Sequence, residues 1–347
     1  MATIVAAASL LITPGVGYAA PEPVSTAMTP LQPPPEPAQV DACNPADRSR
    51  FGDCKSRVYS FNLRRGDPVT GPIIGTAMAS VTISEKTSGD SRDWTAHYTA
   101  RIFGLTGEAA TGTTAAVVAE CRGDCTIAGG ASQPNVPVVE NSVITGDVRI
   151  SGGVQAVSTS SQSITLHLFH PAAVNSGTTA GSPFSVLGPV RCDDGKQRFG
   201  IEGRPGCVLE DFDPTFVINS PEFPQPPAPL HAAFVARAQQ NPKTQNLGRP
   251  GFGNPLIREF LPTSAQNKKR RMVCPANFPR IESPAGTPAE LLDSCDEYPF
   301  SSSLQGTPQF AVTEHVPNGD NTTGGRRLLT FFARYHVMSG DAYYVQP

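Results

Sequence analysis

The chain has 347 residues and a formal net charge of −3, and 16% of its residues are charged. This length suggests about two domains, and the charged share lies below the roughly 25% of an ordinary globular protein. Gly 32 and Pro 35 together make up about a fifth of the chain. That composition excludes a mostly helical protein, because both residues weaken helix interiors. The low charge excludes a protein that coats nucleic acid through an overall positive surface.

The N-terminal residues indicate export. Residues 1–20 are mostly small and apolar and resemble the core of a secretory signal peptide, although the usual positive n-region is missing. A buried N-terminal strand is the alternative. Residues 21–42 form a proline-rich linker, which is expected to be stiff and extended. No run of about 18 apolar residues follows the first twenty, so no transmembrane segment is expected beyond the signal peptide.

The cysteines favour disulfides in an exported protein. There are eight, an even number, and they form no CxxC pattern that would indicate a zinc site. Pairing sequence neighbours closes short local loops, although many other connectivities are possible. The predicted pairs are Cys43–Cys54, Cys121–Cys125, Cys192–Cys207 and Cys274–Cys295.

Residues 43–200 are rich in Thr, Ser, Val, Gly and Ala and contain recurring runs of period 2. This pattern predicts an N-terminal all-β, sandwich-like domain. Its role is not apparent from the sequence. The Arg122-Gly123-Asp124 tripeptide inside the predicted Cys121–Cys125 loop is either an adhesion signal or an ordinary turn. The clearest alternating runs are 80–84, 97–102, 147–150 and 163–168.

The composition changes near Cys207. One more strand is predicted over residues 208–219, and another over residues 309–316. Between them, residues 230–240 have apolar side chains four apart, which predicts a helix. A helix is expected in the segment from Arg326 onward, with Asp320 or Asn321 as its N-cap. This part of the chain leans basic, because residues 241–347 carry a net charge of +2 and the remainder carries −5.

The densest positive run lies in this basic part. A run of this kind is either a solvated helix face or a contact for a phosphate backbone. Its members are Lys268, Lys269, Arg270 and Arg271.

The chemically dense segment is Cys295-Asp296-Glu297-Tyr298-Pro299-Phe300-Ser301-Ser302. Adjacent residues of an extended backbone point to opposite faces, so only one of the two carboxylates is expected to face a given cleft. A carboxylate can serve as a general base on water when a metal ion or arginine holds the substrate. Taken alone, the segment could equally be an acidic surface turn.

This segment resembles the CDEYPFAS signature of the NucA/NucB-type secreted deoxyribonucleases. Residues 320–325 and 340–345 are similar to the ending of that family, and the resemblance extends over about residues 203–347. It implies a C-terminal α+β nuclease domain with a ββα-metal (His-Me finger-like) core, and DNA as the substrate. The β-rich residues 43–200 lie outside the resemblance.

The resemblance also implies roles for individual residues. Asp296 matches the general base, Glu297 the second acidic position, and Asn321 a ligand of Mg²⁺ or Mn²⁺. Arg326 and Arg327 would contact phosphate together with the basic run. In the alternative readings, Asp296 is a structural ion-pair partner, Asn321 a helix cap, and the two arginines a solvated face. Members of the family often carry a glutamate near the position of Gln305, where this chain has an uncharged side chain.

The leading hypothesis is therefore a secreted bacterial, metal-dependent, non-specific endonuclease. Its β-rich domain would bind a cell surface or a protein partner, or hold the nuclease away from the cell. Two alternatives are a secreted binding protein with an inactive nuclease-like domain, and an exported toxin nuclease.

Overall fold

The computed structural model describes residues 43–44, 48–67, 70–130, 135–171, 179–180, 184–185, 188–196, 203–275, 278–279 and 281–347. The predicted signal peptide and the proline-rich linker lie outside the described residues.

The N-terminal half consists of two antiparallel sheets. One has the strand order β1-β2-β3-β7-β5, and the other has the order β12-β11-β8-β4-β6, with β9 and β10 also paired to β8. These strands span Gly52–Arg64 (β1), Ile73–Ser88 (β2), Ser91–Gly107 (β3), Thr114–Gly123 (β4), Cys125–Gly129 (β5), Val136–Pro137 (β6), Val143–Gly152 (β7), Val157–Phe169 (β8), Thr179–Ala180 (β9), Phe184–Ser185 (β10), Val190–Asp193 (β11) and Gly206–Leu209 (β12).

The two sheets share one hydrophobic core. Ile83 and Ile102 of the first sheet belong to the same buried cluster as Ile164 and Leu166 of the second. Alternate residues of each strand point inward, so the period-2 runs place their apolar members between the sheets. Burying each such side chain contributes about 1.5–3 kcal/mol. The predicted sandwich-like domain is found, and all four alternating runs lie in its strands.

The change from the first core to the second occurs later than the sequence predicts. β12 pairs with β11 in the β-rich half, and the Cys192–Cys207 disulfide joins the same two strands. The second core begins at Phe216. The single strand predicted over residues 208–219 is wrong, because a turn divides it and its two parts belong to different sheets.

The C-terminal module combines short strands with three α-helices in the described chain. β13 pairs in parallel with β17, which pairs on its other side with β14, while β15 and β16 form a separate antiparallel hairpin. The elements are β13 (Thr215–Val217), α1 (Pro229–Gln240), β14 (Leu256–Ile257), α2 (Thr263–Val273), β15 (Asp293–Tyr298), β16 (Val312–Pro317), α3 (Asn318–Arg334) and β17 (Ala342–Gln346).

The order β15-β16-α3 is a hairpin followed directly by a helix. The helix predicted over residues 230–240 is confirmed as α1, and β16 occupies most of the strand predicted over residues 309–316. The predicted N-cap is wrong: α3 begins at Asn318 after Pro317 and has no side-chain cap, so Asp320 and Asn321 lie within its first turn. The side chains of these two residues are therefore free for contacts outside α3.

All four predicted disulfides are present. Cys43–Cys54 and Cys121–Cys125 lie in the β-rich half, Cys192–Cys207 joins β11 to β12, and Cys274–Cys295 joins the end of α2 to β15. The described chain contains no free cysteine. Each bridge closes a local loop of at most 21 residues, as the pairing of sequence neighbours predicts.

A buried ionic cluster joins the β-rich half to the C-terminal module. The carboxylate of Asp341 pairs with Arg50 at 2.8 Å and with Arg191 at 2.6 Å, and both arginine side chains are buried. Burial opposes ionisation of Asp341, but hydrogen bonds and charge from Arg191, together with the charge of Arg50, hold its pKa below the usual value. Nearby, His336 of the module bonds to Asp193 of β11 at 2.8 Å. The two halves are thus held together by polar contacts that exclude water.

One end of the sandwich interior is polar. Glu85 of β2 faces Asp53 of β1 across the first sheet, and Gln162 of β8 donates a hydrogen bond to Glu85 from the second sheet. All three side chains are buried. Burial raises the pKa of Glu85 to about 8, despite the hydrogen bond from Gln162, which lowers it.

We expect Glu85→Gln to stabilise the protein at alkaline pH. The folded pKa of Glu85 lies above its unfolded value, so the folded state holds the extra proton between pH 5 and 8. The Glu85 contribution to the free energy of unfolding therefore falls by about 1.4 kcal/mol per pH unit across this range. Glutamine keeps the shape and cannot ionise. Thermal unfolding at pH 5 and pH 8 should show the variant gaining melting temperature over the wild type only at pH 8, and an equal difference at both pH values would contradict this.

Candidate active site

A cleft of about 450 Å³ opens in the C-terminal module between α2, α3, β15 and the first turn of α1. Most of the residues that line it are polar or charged. The residues that line it include His231, Arg270, Ser294, Asp296, Glu297, Phe300, Asn321, Gly324 and Arg326.

Asp296 lies on β15 and is almost fully buried beside this cleft. Its Oδ2 is 2.6 Å from Nδ1 of His231, and its Oδ1 accepts a hydrogen bond of 2.9 Å from the backbone N–H of Glu297. Both oxygens therefore have a fixed partner, and the carboxylate is held in one orientation.

Glu297 also lines the cleft, which corrects the expectation that only one of the adjacent carboxylates would do so. The two side chains do lie toward different helices: Asp296 contacts α1, and Glu297 is 3.4 Å from the guanidinium of Arg270 on α2. In the described chain β15 pairs only with β16, so its other edge is unpaired. Burial raises the pKa of Glu297 to about 7, against the opposing charge of Arg270.

Asn321 lies one turn into α3 and faces β15. Its Nδ2 donates to Oγ of Ser294 at 2.9 Å and to the backbone carbonyl of Cys295 at 3.0 Å. Its side chain is thus anchored through the nitrogen beside the residue that precedes Asp296. Within the described part of the chain Oδ1 has no hydrogen bond, and Asn321 lines the cleft.

The predicted phosphate-binding residues divide into two groups. Arg270 and Arg326 line the cleft, whereas Lys268 and Arg271 are exposed on α2 outside its lining. Exposed cations of this kind contribute long-range attraction for a polyanion rather than a fixed contact.

Lys269 and Arg327 differ from the expectation. Nζ of Lys269 is buried against Glu259 and the carbonyl of Ser303. The guanidinium of Arg327 donates to four backbone carbonyls, those of Ile218, Ser220, Gln225 and Pro226. Their donors are occupied inside the fold, so neither side chain is free to bind phosphate.

Gln305 also has a structural environment. Its Oε1 accepts a hydrogen bond from the backbone N–H of Ile257 at 3.0 Å, and its Nε2 donates to the carbonyl of Pro255 at 3.3 Å. A glutamate could not make the second bond, because a carboxylate has no hydrogen to donate. The carboxamide therefore fits this position, and it lies outside the lining of the cleft.

His231 is the site residue that sequence reasoning missed. It lies in the first turn of α1, 65 positions before Asp296, and is buried between Phe300 and α3. One signal could have indicated it: together with Phe234, Val235 and Ala238 it follows the buried stripe of an amphipathic helix. A histidine in such a stripe needs a polar partner inside the fold.

The donor set suits a hard divalent cation. The cleft offers the free Oδ1 of Asn321 and the carboxylates of Asp296 and Glu297, all oxygen atoms of the kind that Mg²⁺ prefers. In the described residues no group of three or more His, Cys, Asp or Glu is arranged to hold a metal ion. An ion here would therefore retain water molecules and take further ligands from the substrate phosphate, as Mg²⁺ commonly does.

Comparison with known protein families places the C-terminal module among the nucleases. Residues 253–346 match the model of the family described as Deoxyribonuclease NucA/NucB. The match covers well under half of the chain and supports the resemblance predicted from the sequence; the β-rich half and α1 lie outside it. Neither the curated proteins nor the solved structures give a significant match to the chain.

The helices in the described part of the chain are short or polar. None is both long and apolar enough to cross a membrane.

Proposed function

We propose that the C-terminal module is a metal-dependent endonuclease that hydrolyses phosphodiester bonds of DNA. The observation that supports this is that Asp296 and Asn321 line one polar cleft within the segment that matches a deoxyribonuclease family. The four disulfides also favour a protein that works outside the cell, where thiols are oxidised.

Asp296 is the proposed general base. It takes a proton from the water that attacks phosphorus, and the two hydrogen bonds to its oxygens keep the carboxylate aimed while this occurs. Positioned acid–base groups of this kind contribute about 10²–10⁴-fold to rate.

Asn321 and Glu297 are proposed to hold Mg²⁺ or Mn²⁺ at the cleft. When bound, the ion neutralises charge on the phosphate and stabilises the leaving 3′ oxygen. Asn321 suits this role because its side-chain nitrogen is already bonded to Ser294 and Cys295, which leaves the side-chain oxygen available to a metal ion. With a pKa of about 7, Glu297 is partly protonated at neutral pH, and a nearby cation would favour its ionised form.

Arg326 and Arg270 are the proposed phosphate contacts. Each guanidinium can bind a phosphate through two parallel hydrogen bonds. A second depression of about 440 Å³ shares Gln266, Ser302 and Leu329 with the cleft. The two depressions therefore adjoin, which would suit a polymeric substrate.

We expect the purified, oxidised full chain to nick supercoiled plasmid in Mg²⁺ or Mn²⁺ and to lose this activity in EDTA. Excess Mg²⁺ should restore the activity, and added salt should reduce it, because phosphate contacts dominate non-specific binding. The four disulfides should be verified by mass spectrometry and the fold by cooperative unfolding. No cleavage by protein that passes both checks would refute the proposal.

A further inference from the structure

We propose that His231 is a positioning residue of the nuclease centre, which acts by holding Asp296 through a hydrogen bond from Nδ1. This inference rests on the proposed function, in which Asp296 is the base. The family match does not include His231, which lies outside residues 253–346.

The contact fixes which nitrogen carries the proton. An ionised carboxylate has no hydrogen to donate, so at 2.6 Å from Oδ2 of Asp296 the Nδ1 atom of His231 must be the donor. Nε2 of His231 is buried and has no hydrogen-bond partner among the described residues. A proton on Nε2 would be a buried, unpaired donor beside the cleft, which is costly. The geometry therefore favours the tautomer whose Nδ1 proton is directed at Asp296.

Three neighbours hold the ring in place. It stacks on Phe300 with ring centroids 5.8 Å apart and planes at 23°. On its other side is Gly324 of α3, where an added Cβ would lie only 2.3 Å from Cδ2 of His231. The backbone N–H of the preceding residue, Leu230, donates to Asp320 of α3 at 2.7 Å. The imidazole is thus oriented by α1, α3 and the loop after β15 at once.

This arrangement has a consequence for catalysis. One hydrogen bond holds each oxygen of the Asp296 carboxylate. If the bond from His231 to Oδ2 is lost, only the bond from the N–H of Glu297 to Oδ1 remains, and the carboxylate can rotate. Substituting a residue that orients a functional group through a hydrogen bond typically lowers activity by 10–100-fold. We therefore expect His231 to affect kcat through Asp296 while leaving substrate binding unchanged.

The test compares two substitutions in the full oxidised chain. His231→Leu removes the donor and should lower kcat for plasmid cleavage by about 10–100-fold with KM within about twofold. His231→Asn offers a carboxamide N–H near the position of Nδ1 and should stay within about fivefold of the wild type.

His315→Leu is the matched control. His315 also bonds through Nδ1 to an aspartate of β15, Asp293 at 2.9 Å, but neither residue lines the cleft. Its kcat should equal that of the wild type. Full activity of His231→Leu would overturn the proposal. Equal loss in the leucine and asparagine variants would also overturn it, because the unprotonated Nε2 would then be the atom in use.

A second measurement separates this inference from the proposed function. In the wild type, NMR of ¹⁵N-labelled histidine should show a proton on Nδ1 of His231, and this signal should shift or vanish in Asp296→Ala. If the wild type cleaves no DNA but the signal behaves in this way, the nuclease proposal fails and the contact stands. A proton on Nε2 instead would overturn the positioning role whatever the activity.

Discussion

Replacing Asp296 by asparagine is expected to reduce metal-dependent plasmid cleavage by at least about 100-fold. Asparagine keeps the size of the side chain and an oxygen that can accept from His231, but it cannot take a proton from water. The loss should appear in kcat, because nothing in the cleft that contacts phosphate has changed. Initial rates at saturating DNA, with circular dichroism to verify the fold, measure this directly.

Glu314→Gln provides the control for this experiment. Glu314 stands opposite Asp296 in the β15–β16 hairpin, pairs with Arg237 on the surface and does not line the cleft. Its substitution should leave cleavage at the wild-type rate. If Asp296→Asn retains most of the activity while both variants are folded, Asp296 is not the base, and Glu297, with its pKa of about 7, becomes the residue to test.

Replacing Asp341 by asparagine is expected to lower the free energy of unfolding by about 3–5 kcal/mol, because it leaves two buried guanidinium groups without the carboxylate that pairs with them. Arg50 and Arg191 are both buried, and Asp341 is the carboxylate that pairs with both. Urea unfolding at pH 7 measures the change. Asp211→Asn is the control. It removes an exposed ion pair with Arg48 and should lower the free energy of unfolding by about 1 kcal/mol or less.

The sign of the pH dependence follows from the same cluster. The folded pKa of Asp341 is depressed, so its contribution to stability is present above the ordinary titration range of aspartate and is lost as pH falls through the folded pKa. The difference between the wild type and Asp341→Asn should therefore shrink in acid. A difference that stays constant down to unfolding would show that the charge of Asp341 is not what stabilises this junction.

The sequence allowed the local features to be predicted. Alternating apolar and polar residues located the strands of the sandwich, because a half-buried strand shows this pattern within a few neighbouring residues. The disulfides were predictable for a similar reason, since each joins cysteines close in sequence. The carboxylates of the cleft were predictable only through a specific string of residues around Asp296.

Features that depend on distant parts of the chain were not predictable. Arg327 resembles its neighbour Arg326 in sequence, but the carbonyls of residues 218–226 surround its guanidinium and remove it from the cleft. Lys269 is likewise fixed by Glu259 and Ser303 rather than by its place in a basic run. His231 contacts Asp296 only because α1 packs against α3, where Gly324 leaves room for the ring.

The Cys274–Cys295 bridge has a consequence for the cell that makes the protein. It links the residue after α2, which carries Arg270, to the residue before Asp296. Two walls of the cleft are therefore covalently linked only where thiols are oxidised. In the chain-entropy model, a bridge over 21 residues adds about 3 kcal/mol to the free energy of unfolding. Under the proposed function, a newly made chain with reduced thiols would therefore lack full nuclease activity until this bridge forms. The bond that completes the cleft would thus also protect the genome of the producing cell.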